Sequence, residues 1–224
     1  MKTNFLIGLT GILFAGGLAV AQTPATAPAP SAPPAASPDN MLNLDLSTGG
    51  RVVIELRPDK APNSVERIKV LTRRGFYDGL VFHRVIEGFM AQGGDPKGDG
   101  TGGSDLPDLK AEFNDLPHVR GTMAMARSQS PDSANSQFYI ILSPSFTLDK
   151  KYTIIGRVVS GMGFVDLLEK GEPPANPSKI VKASIGDALP YVMPAPTPAP
   201  QPAPPPAAAK PAAPKPAPKA VKKR

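Results

Sequence analysis

Side chains that act as nucleophiles or hold transition metals are scarce in this sequence. There is no cysteine, which excludes a disulfide framework, a thiolate zinc site, an iron–sulfur cluster and a cysteine nucleophile. The two histidines, His83 and His118, leave little for a histidine-based metal site. The sequence therefore predicts a protein that works without a metal or a cofactor.

A glycine- and aspartate-rich loop over residues 93–117 contains two motif-like spacings. Three aspartates within 95–105 lack the residue order and the closing glutamate of an EF-hand calcium loop. The spacing of the glycines within 98–103 matches the dinucleotide-binding fingerprint. The structural context of that fingerprint is missing, because no parallel-sheet unit surrounds the glycines and no helix pattern follows. Neither ligand is favoured by the sequence.

The elements that would position a site begin with a hairpin. Leu42–Leu46 alternates apolar and polar residues with period two, which predicts a half-buried strand. Ser47–Gly50 is a turn sequence, and Arg51–Leu56 is rich in β-branched residues. The two runs therefore predict an antiparallel pair.

Two helices and further short strands follow the hairpin. Apolar spacing predicts a helix from about Pro62 to Arg74, where Pro62 suits the first turn and Gly75 a left-handed exit. A second helix is predicted over about Gly163 to Lys170. Short apolar runs predict strands at 81–86, 89–92, 122–126, 137–142, 152–159 and 179–185. This pattern predicts a mainly β fold built on a closed antiparallel sheet.

The two ends of the chain differ from the middle in composition. Residues 22–40 contain six prolines and residues 190–224 contain thirteen, so both are predicted to be disordered and rich in Pro and Ala. The tail also holds six cations and no acidic residue, whereas residues 41–189 hold eighteen of each sign. The net charge of +6 therefore belongs to the tail, and the folded domain over 41–189 is predicted to be neutral.

Residues 1–21 are typical of a secretory signal peptide. Lys2 provides a positive start, Phe5–Leu18 is apolar, and Ala19–Ala21 fits a small-x-small cleavage site. An uncleaved anchor is the alternative, since an apolar run of about 17 residues is the short limit for a membrane span. We expect an extracytoplasmic protein, whether periplasmic, bound in the cell envelope or secreted.

The segment Phe82–Asp95 (FHRVIEGFMAQGGD) resembles the signature of the cyclophilin-type peptidyl-prolyl cis-trans isomerases. Other motifs resemble the family in its own order: 75–79, 100–103, 121–126, 135–140, 148–149 and 156–158. The similarity covers about 44–187. It implies an eight-stranded antiparallel cyclophilin-like β-barrel capped by two α-helices, and a bacterial, exported isomerase that acts on proline-containing polypeptides.

The resemblance implies that Arg84 and Gln92 are the catalytic residues. An X–Pro bond crosses a barrier of about 18–20 kcal/mol, and twisting the amide returns a lone pair to the prolyl nitrogen. A donor aimed at that nitrogen stabilises only the transition state, and the charged fork of arginine suits the task. Gln92 matches the glutamine that binds the substrate backbone and orients the arginine. Outside this motif, Arg84 would be assigned to a strand surface.

The resemblance also implies substrate-binding residues, of which the apolar ones line the slot for the proline ring: Phe89, Met90, Ala126, Arg127, Gln137, Tyr139, Leu148 and Tyr152. Ala126 and Arg127 match the strand edge that pairs with the substrate main chain. Gln137 matches a polar residue of the same groove. Without the resemblance, the apolar members would be assigned to the core.

Several positions depart from the usual pattern of the family. Tyr139 replaces the commoner phenylalanine and adds a hydroxyl that needs a partner or water. Arg127 stands where asparagine is commoner, Thr147 where the family has a tryptophan, and Tyr152 where it has a histidine. We expect isomerase activity to persist and cyclosporin to bind weakly. His118 is expected to be a loop residue.

The basic tail leaves two interpretations open. Residues 205–224 could bind anionic envelope polymers or lipids through their cations, or the tail could be a solvated linker. Nucleic acid is not expected as a partner of an exported chain, and a monomer is expected. The alternative to an enzyme is a secreted module that binds proline peptides and is tethered to the envelope by this tail.

Overall fold

The computed structural model describes residues 37–186. The predicted signal peptide, the predicted linker up to residue 36 and the predicted basic tail lie outside the described residues. Within 37–186, no helix has the length and apolar character needed to cross a membrane.

Eight strands and two α-helices make up the described part of the chain. In chain order they are β1 Met41–Leu46, β2 Gly50–Leu56, α1 Pro62–Arg73, β3 Arg84–Ile86, β4 Met90–Gly93, β5 Thr122–Met125, β6 Phe138–Ile141, β7 Ile154–Ser160, α2 Met162–Asp166 and β8 Ile180–Ile185. A 3₁₀ turn over Pro38–Asn40 precedes β1, and a second one, Phe146–Leu148, lies between β6 and β7. The predicted hairpin, first helix and order of strands are confirmed.

All eight strands join one antiparallel sheet in the order β3-β4-β6-β5-β7-β2-β1-β8. The sheet curls until its two edge regions meet. Val81 forms an isolated bridge with Lys179, and Val85 forms another with Gly171. The predicted cyclophilin-like fold, an eight-stranded antiparallel sheet with two helices, is confirmed.

Strand β6 has a buried core on each of its faces. Phe138 and Ile140 belong to the main hydrophobic cluster, which also holds the apolar side of α1. Tyr139 and Ile141 point to the other face and belong to a smaller cluster with Met90. Because side chains alternate along a strand, one four-residue segment supports both the fold and a second, smaller apolar surface.

Helix α1 has the predicted beginning and end. Pro62 occupies its first position, and Gly75 adopts a φ of 70° just after it. The Glu112 carboxylate accepts hydrogen bonds from the backbone N–H groups of Asn63 and Ser64 at 3.0 and 2.8 Å. A distant side chain therefore satisfies N–H groups that the first turn leaves without a partner.

Helix α2 is shorter than predicted and ends at Asp166 instead of Lys170. The Lys170 Nζ donates to the carbonyl oxygens of Asp166 and Leu168, at 2.6 and 2.9 Å. These contacts satisfy carbonyls at the helix end, so the apolar spacing beyond Asp166 does not continue the helix.

Candidate active site

Nine of the ten predicted site residues surround one open cavity of about 130 Å³: Arg84, Phe89, Met90, Gln92, Ala126, Arg127, Tyr139, Leu148 and Tyr152. The tenth, Gln137, lines an adjoining cavity of about 310 Å³ that shares Gln92, Ala126 and Arg127 with the first. The structure therefore gathers the predicted set into one groove. The individual roles of these residues in binding and catalysis stay predictions.

Strand register explains why residues so far apart in sequence meet. Arg84 of β3 lies opposite Gln92 of β4, which lies opposite Tyr139 of β6. Tyr139 in turn lies opposite Ala124 of β5. Residues directly opposite each other share a face of the sheet. A row across the sheet therefore carries a cation, an amide and an aromatic ring side by side.

The apolar end of the groove, here called the proline pocket, is formed by Phe89, Met90, Tyr139, Leu148 and Tyr152. Met90 and Tyr139 are 3% and 5% exposed and form its floor. The Tyr139 and Tyr152 rings meet edge to face with centroids 5.7 Å apart. Aromatic pairs favour this geometry, so the pocket has a rigid apolar surface before any substrate binds.

The polar end of the groove, here called the rim, consists of Arg84, Gln92 and Gln137. Gln92 Nε2 donates to Gln137 Oε1 at 2.9 Å. Gln137 Nε2 donates to the carbonyl oxygens of Gly100 and Gly102, at 3.0 and 2.8 Å. The amide groups of the rim are therefore held by the glycine-rich loop beside them.

Arg84 has a partner that the sequence analysis did not select. Its Nε donates to Glu172 Oε2 at 2.7 Å, and both side chains are partly exposed. Within residues 37–186, neither terminal nitrogen of Arg84 has a hydrogen-bond partner. Glu172 lies 88 positions along the chain and belongs to none of the motifs, so no sequence signal indicated the contact.

Arg127 borders the proline pocket on the outside. Its guanidinium carbon lies 4.5 Å from the centroid of the Tyr152 ring, and Nη2 donates to the Lys151 carbonyl oxygen at 3.0 Å. A cation over an aromatic face is favourable by about 0.5–1 kcal/mol at an exposed site. The arginine therefore holds the Tyr152 ring against the pocket, in addition to its predicted backbone role.

His118 lies in an irregular segment, as predicted, but it is fully buried beneath the proline pocket. Its Nδ1 lies 2.8 Å from Asp149 Oδ1, and its Nε2 lies 3.0 Å from the Tyr139 hydroxyl. The hydroxyl that Tyr139 adds thus has a protein partner. Sequence reasoning missed His118 as part of the site because its neighbours in sequence carry no site motif.

Metal chemistry has no ligand set in the described part of the chain. Between residues 37 and 186, no three His, Cys, Asp or Glu side chains are grouped so that they could bind a metal ion. What the groove does present is an arginine fork and amide groups beside a slot of aromatic and aliphatic side chains. A site with these groups can bind an uncharged, apolar ring and donate hydrogen bonds next to it.

A fold and groove of this kind define an isomerase that acts on peptide bonds to proline, and comparison with known proteins agrees. The family model for "Cyclophilin type peptidyl-prolyl cis-trans isomerase/CLD" matches residues 42–185. The chain belongs to this family and is a peptidyl-prolyl cis-trans isomerase.

Relatives from bacteria and a fungus carry the same activity in their names. A probable peptidyl-prolyl cis-trans isomerase of Brucella suis is 52% identical over 167 residues, which covers 67% of this chain and 85% of that protein. The peptidyl-prolyl cis-trans isomerase ppi1 of Schizosaccharomyces pombe is 40% identical over 153 residues, covering 64% of this chain and 98% of that one.

Solved structures show the same architecture. The cyclophilin AquaCyp293 of Hirschia baltica superimposes with a TM-score of 0.62 at 31% identity, over 66% of this chain and 74% of that one. A Cryptosporidium parvum cyclophilin, crystallised in the presence of the dipeptide Ala-Pro, gives a TM-score of 0.61 at 27% identity, over 66% of this chain and 99% of that one.

Proposed function

We propose that this isomerase accelerates X–Pro rotation in exported polypeptides, with Arg84 donating a hydrogen bond to the prolyl nitrogen of the twisted amide. The observation that carries the proposal is the row Arg84, Gln92 and Tyr139, which sets a charged donor beside an apolar pocket. The crystallisation of the Cryptosporidium parvum relative with Ala-Pro supports an X–Pro unit as the ligand.

The proposed division of labour follows from what amide rotation requires. The proline pocket holds the ring by apolar contact, which affects the planar and twisted forms alike. The prolyl nitrogen accepts a hydrogen bond only when twisting removes its resonance, so a donor there binds the transition state selectively. An acceleration of about five decades requires roughly 7 kcal/mol of such selective binding.

Glu172 bears on how Arg84 would act. The carboxylate takes the Nε–H, and the two terminal nitrogens stay available for the substrate. Because an arginine side chain is flexible, a fixed contact at Nε limits the orientations of the guanidinium plane. In this mechanism Glu172 turns the terminal N–H groups towards the groove, while Gln92 binds the substrate backbone.

A peptide isomerisation assay on the full chain tests the proposal. Arg84→Ala removes the donor, and we expect kcat/KM to fall by about a hundredfold, the usual loss for one transition-state donor. Arg73→Ala is the matched control, because Arg73 is also a half-exposed arginine but lies at the end of α1. Full activity in Arg84→Ala, or an equal loss in both variants, would contradict the mechanism.

The location of the clients is a separate part of the proposal. Its support is the apolar run and the Ala-x-Ala sequence of residues 1–21, together with the basic tail over 205–224. Fractionation of cells that produce the full chain should recover it outside the cytoplasm, with deletion of 205–224 lowering its retention by envelope material at low salt. Recovery in the cytoplasm would contradict export, and retention unchanged by the deletion would contradict a binding role of the tail.

A further inference from the structure

The ring of His118 connects two parts of the proline pocket that are far apart in sequence. One nitrogen faces Tyr139, in the pocket floor on β6, and the other faces Asp149. Asp149 directly follows Leu148, the pocket residue that ends the 3₁₀ turn. The His118 ring is 0% exposed, whereas the Asp149 side chain at its outer end is 31% exposed.

Chemistry assigns the hydrogens in this chain of contacts. The backbone N–H of His118 lowers the pKa of Asp149, and its ring adds to this against an opposing effect of burial, so the side chain is a carboxylate. A carboxylate only accepts, which places a hydrogen on Nδ1 of His118. For the tautomer that carries its hydrogen on Nδ1 alone, Nε2 is an acceptor and the Tyr139 hydroxyl donates to it.

The rings are also stacked in a fixed arrangement. His118 and Tyr139 lie nearly parallel, 16° apart with centroids separated by 6.1 Å, and Tyr152 stands edge-on to His118 at 6.5 Å. The hydroxyl bond fixes the Tyr139 ring from its far end, while its face stays in the pocket. Any tilt of this ring would break the bond and leave a buried imidazole nitrogen without a partner.

We propose that His118 is a positioning residue for proline binding, which ties the Tyr139 floor to the Leu148 wall and keeps the pocket open at a fixed width. This role rests on the proposed function of the groove. A pocket whose walls are held in advance loses less conformational freedom when the ring enters, and that saving appears as affinity. His118 therefore acts on substrate affinity more than on the rotation step.

A double-mutant cycle in the full chain tests this role. Tyr139→Phe removes only the hydroxyl, His118→Phe replaces the imidazole by an apolar ring, and the double variant removes both partners. Tyr77→Phe is the matched control, because the Tyr77 hydroxyl is also buried and donates to the Ser136 carbonyl at 3.0 Å, but it lies in the main core. Peptide dissociation constants, kcat and melting temperatures are measured for all five proteins.

We expect each pocket variant to bind a proline peptide about three- to tenfold more weakly, the fold-change for one well-formed hydrogen bond. The double variant should bind no more weakly than the weaker-binding single variant. It lacks both the Tyr139 hydroxyl and the His118 imidazole, so neither of these two groups is left without the other. Tyr77→Phe should melt at a lower temperature with an unchanged dissociation constant. Imidazole ¹⁵N NMR of the parent should show the hydrogen on Nδ1.

Two results would overturn the proposal. One is unchanged peptide affinity in folded His118→Phe and Tyr139→Phe proteins whose melting temperatures alone are lowered, as in Tyr77→Phe. The other is a hydrogen on Nε2 with Nδ1 bare, since the ring would then not donate to Asp149, which would keep only the backbone N–H of His118. Both are distinct from failure of the proposed function, in which the parent chain would isomerise peptides and Arg84→Ala would do so equally well.

Discussion

The two ends of the groove are built from opposite kinds of interaction. The proline pocket is apolar, has a buried floor and is supported by His118, whose two ring nitrogens both have partners. The rim carries the charge, but Arg84 is 40% exposed and its ion pair with Glu172 is open to solvent. In the proposed mechanism, affinity for the substrate depends on a preorganised apolar surface, and the proposed transition-state donor, Arg84, is held by its ion pair at the solvent-exposed end.

The contrast has an energetic consequence. Substitutions in the pocket remove packed atoms and cost stability, because buried apolar side chains also hold the sheet together. Substitution of Arg84 at the rim removes a partly exposed group, and changes of this kind usually alter stability by under about 0.5 kcal/mol. Substitutions in the pocket should therefore lower mainly the stability of the protein, and substitution of Arg84 at the rim should lower mainly its activity.

The largest expected effect is on stability. Tyr139→Ala should lower the free energy of unfolding by about 3–5 kcal/mol, as for other large buried aromatic residues. Phe138→Ala, on the other face of the same strand, is the matched control and should cost a similar amount. Denaturant titration measures both. A cost for Tyr139→Ala below about 1 kcal/mol would show that packing in the pocket does not contribute to the stability of the sheet.

The glycine-rich loop that holds the amide groups of the rim should be sensitive to acid, because it contains Asp95. Burial raises the pKa of Asp95, but backbone N–H groups, including those of Lys97 and Gly100, outweigh it, so the pKa lies below its usual 3.8. The stability that this carboxylate adds is complete above pH 3.8 and is lost as the pH falls through the lowered value. Asp95→Asn should cost about 1–3 kcal/mol at neutral pH by leaving buried groups unpaired.

Unfolding measured at several pH values checks this expectation. The difference between the parent and Asp95→Asn should be constant above pH 3.8 and shrink below it. Asp105→Asn is the control, because Asp105 lies in the same loop but is 79% exposed. A difference that grows on acidification would mean that the sign of the shift is wrong.

At the rim itself, the shape of the cation should matter more than its charge. Arg84→Lys keeps the charge but loses the planar fork, so Nε and the terminal nitrogens can no longer bind Glu172 and the substrate together. We expect kcat/KM to fall about tenfold, with the free energy of unfolding and the peptide affinity unchanged. Equal activity of the two proteins would show that charge alone is sufficient.

The smallest effect is expected for the partner of Arg84. Glu172→Ala should lower kcat/KM by about two- to fivefold, in line with the energy of an exposed ion pair. Added salt should lower the activity of the parent towards that of the variant, and should affect the variant less. Asp166→Asn is the matched control, since Asp166 forms an exposed ion pair with Arg120 outside the groove. Higher activity in Glu172→Ala would mean that Glu172 restrains Arg84.

The fold was largely predictable from local patterns. Period-two alternation over Leu42–Leu46 and the β-branched residues of Arg51–Leu56 indicated the hairpin, and Pro62 and Gly75 marked the limits of α1 correctly. The end of α2 was predicted wrongly because the Lys170 side chain caps its last carbonyls, a contact that apolar spacing does not report. Short strands also have weak ends, which is why His83 was predicted within a strand that begins at Arg84.

The sequence by itself determined the family resemblance, the ten groove residues and the neutral charge of the domain, because these depend on residue types in a fixed order. Only the tertiary structure decided what supports each end of the groove. Glu172 reaches Arg84 across 88 positions, and His118 reaches Asp149 across 31 and Tyr139 across 21. Such contacts arise when a curled sheet brings distant loops together, and single polar residues in loops leave no periodic signal in a sequence.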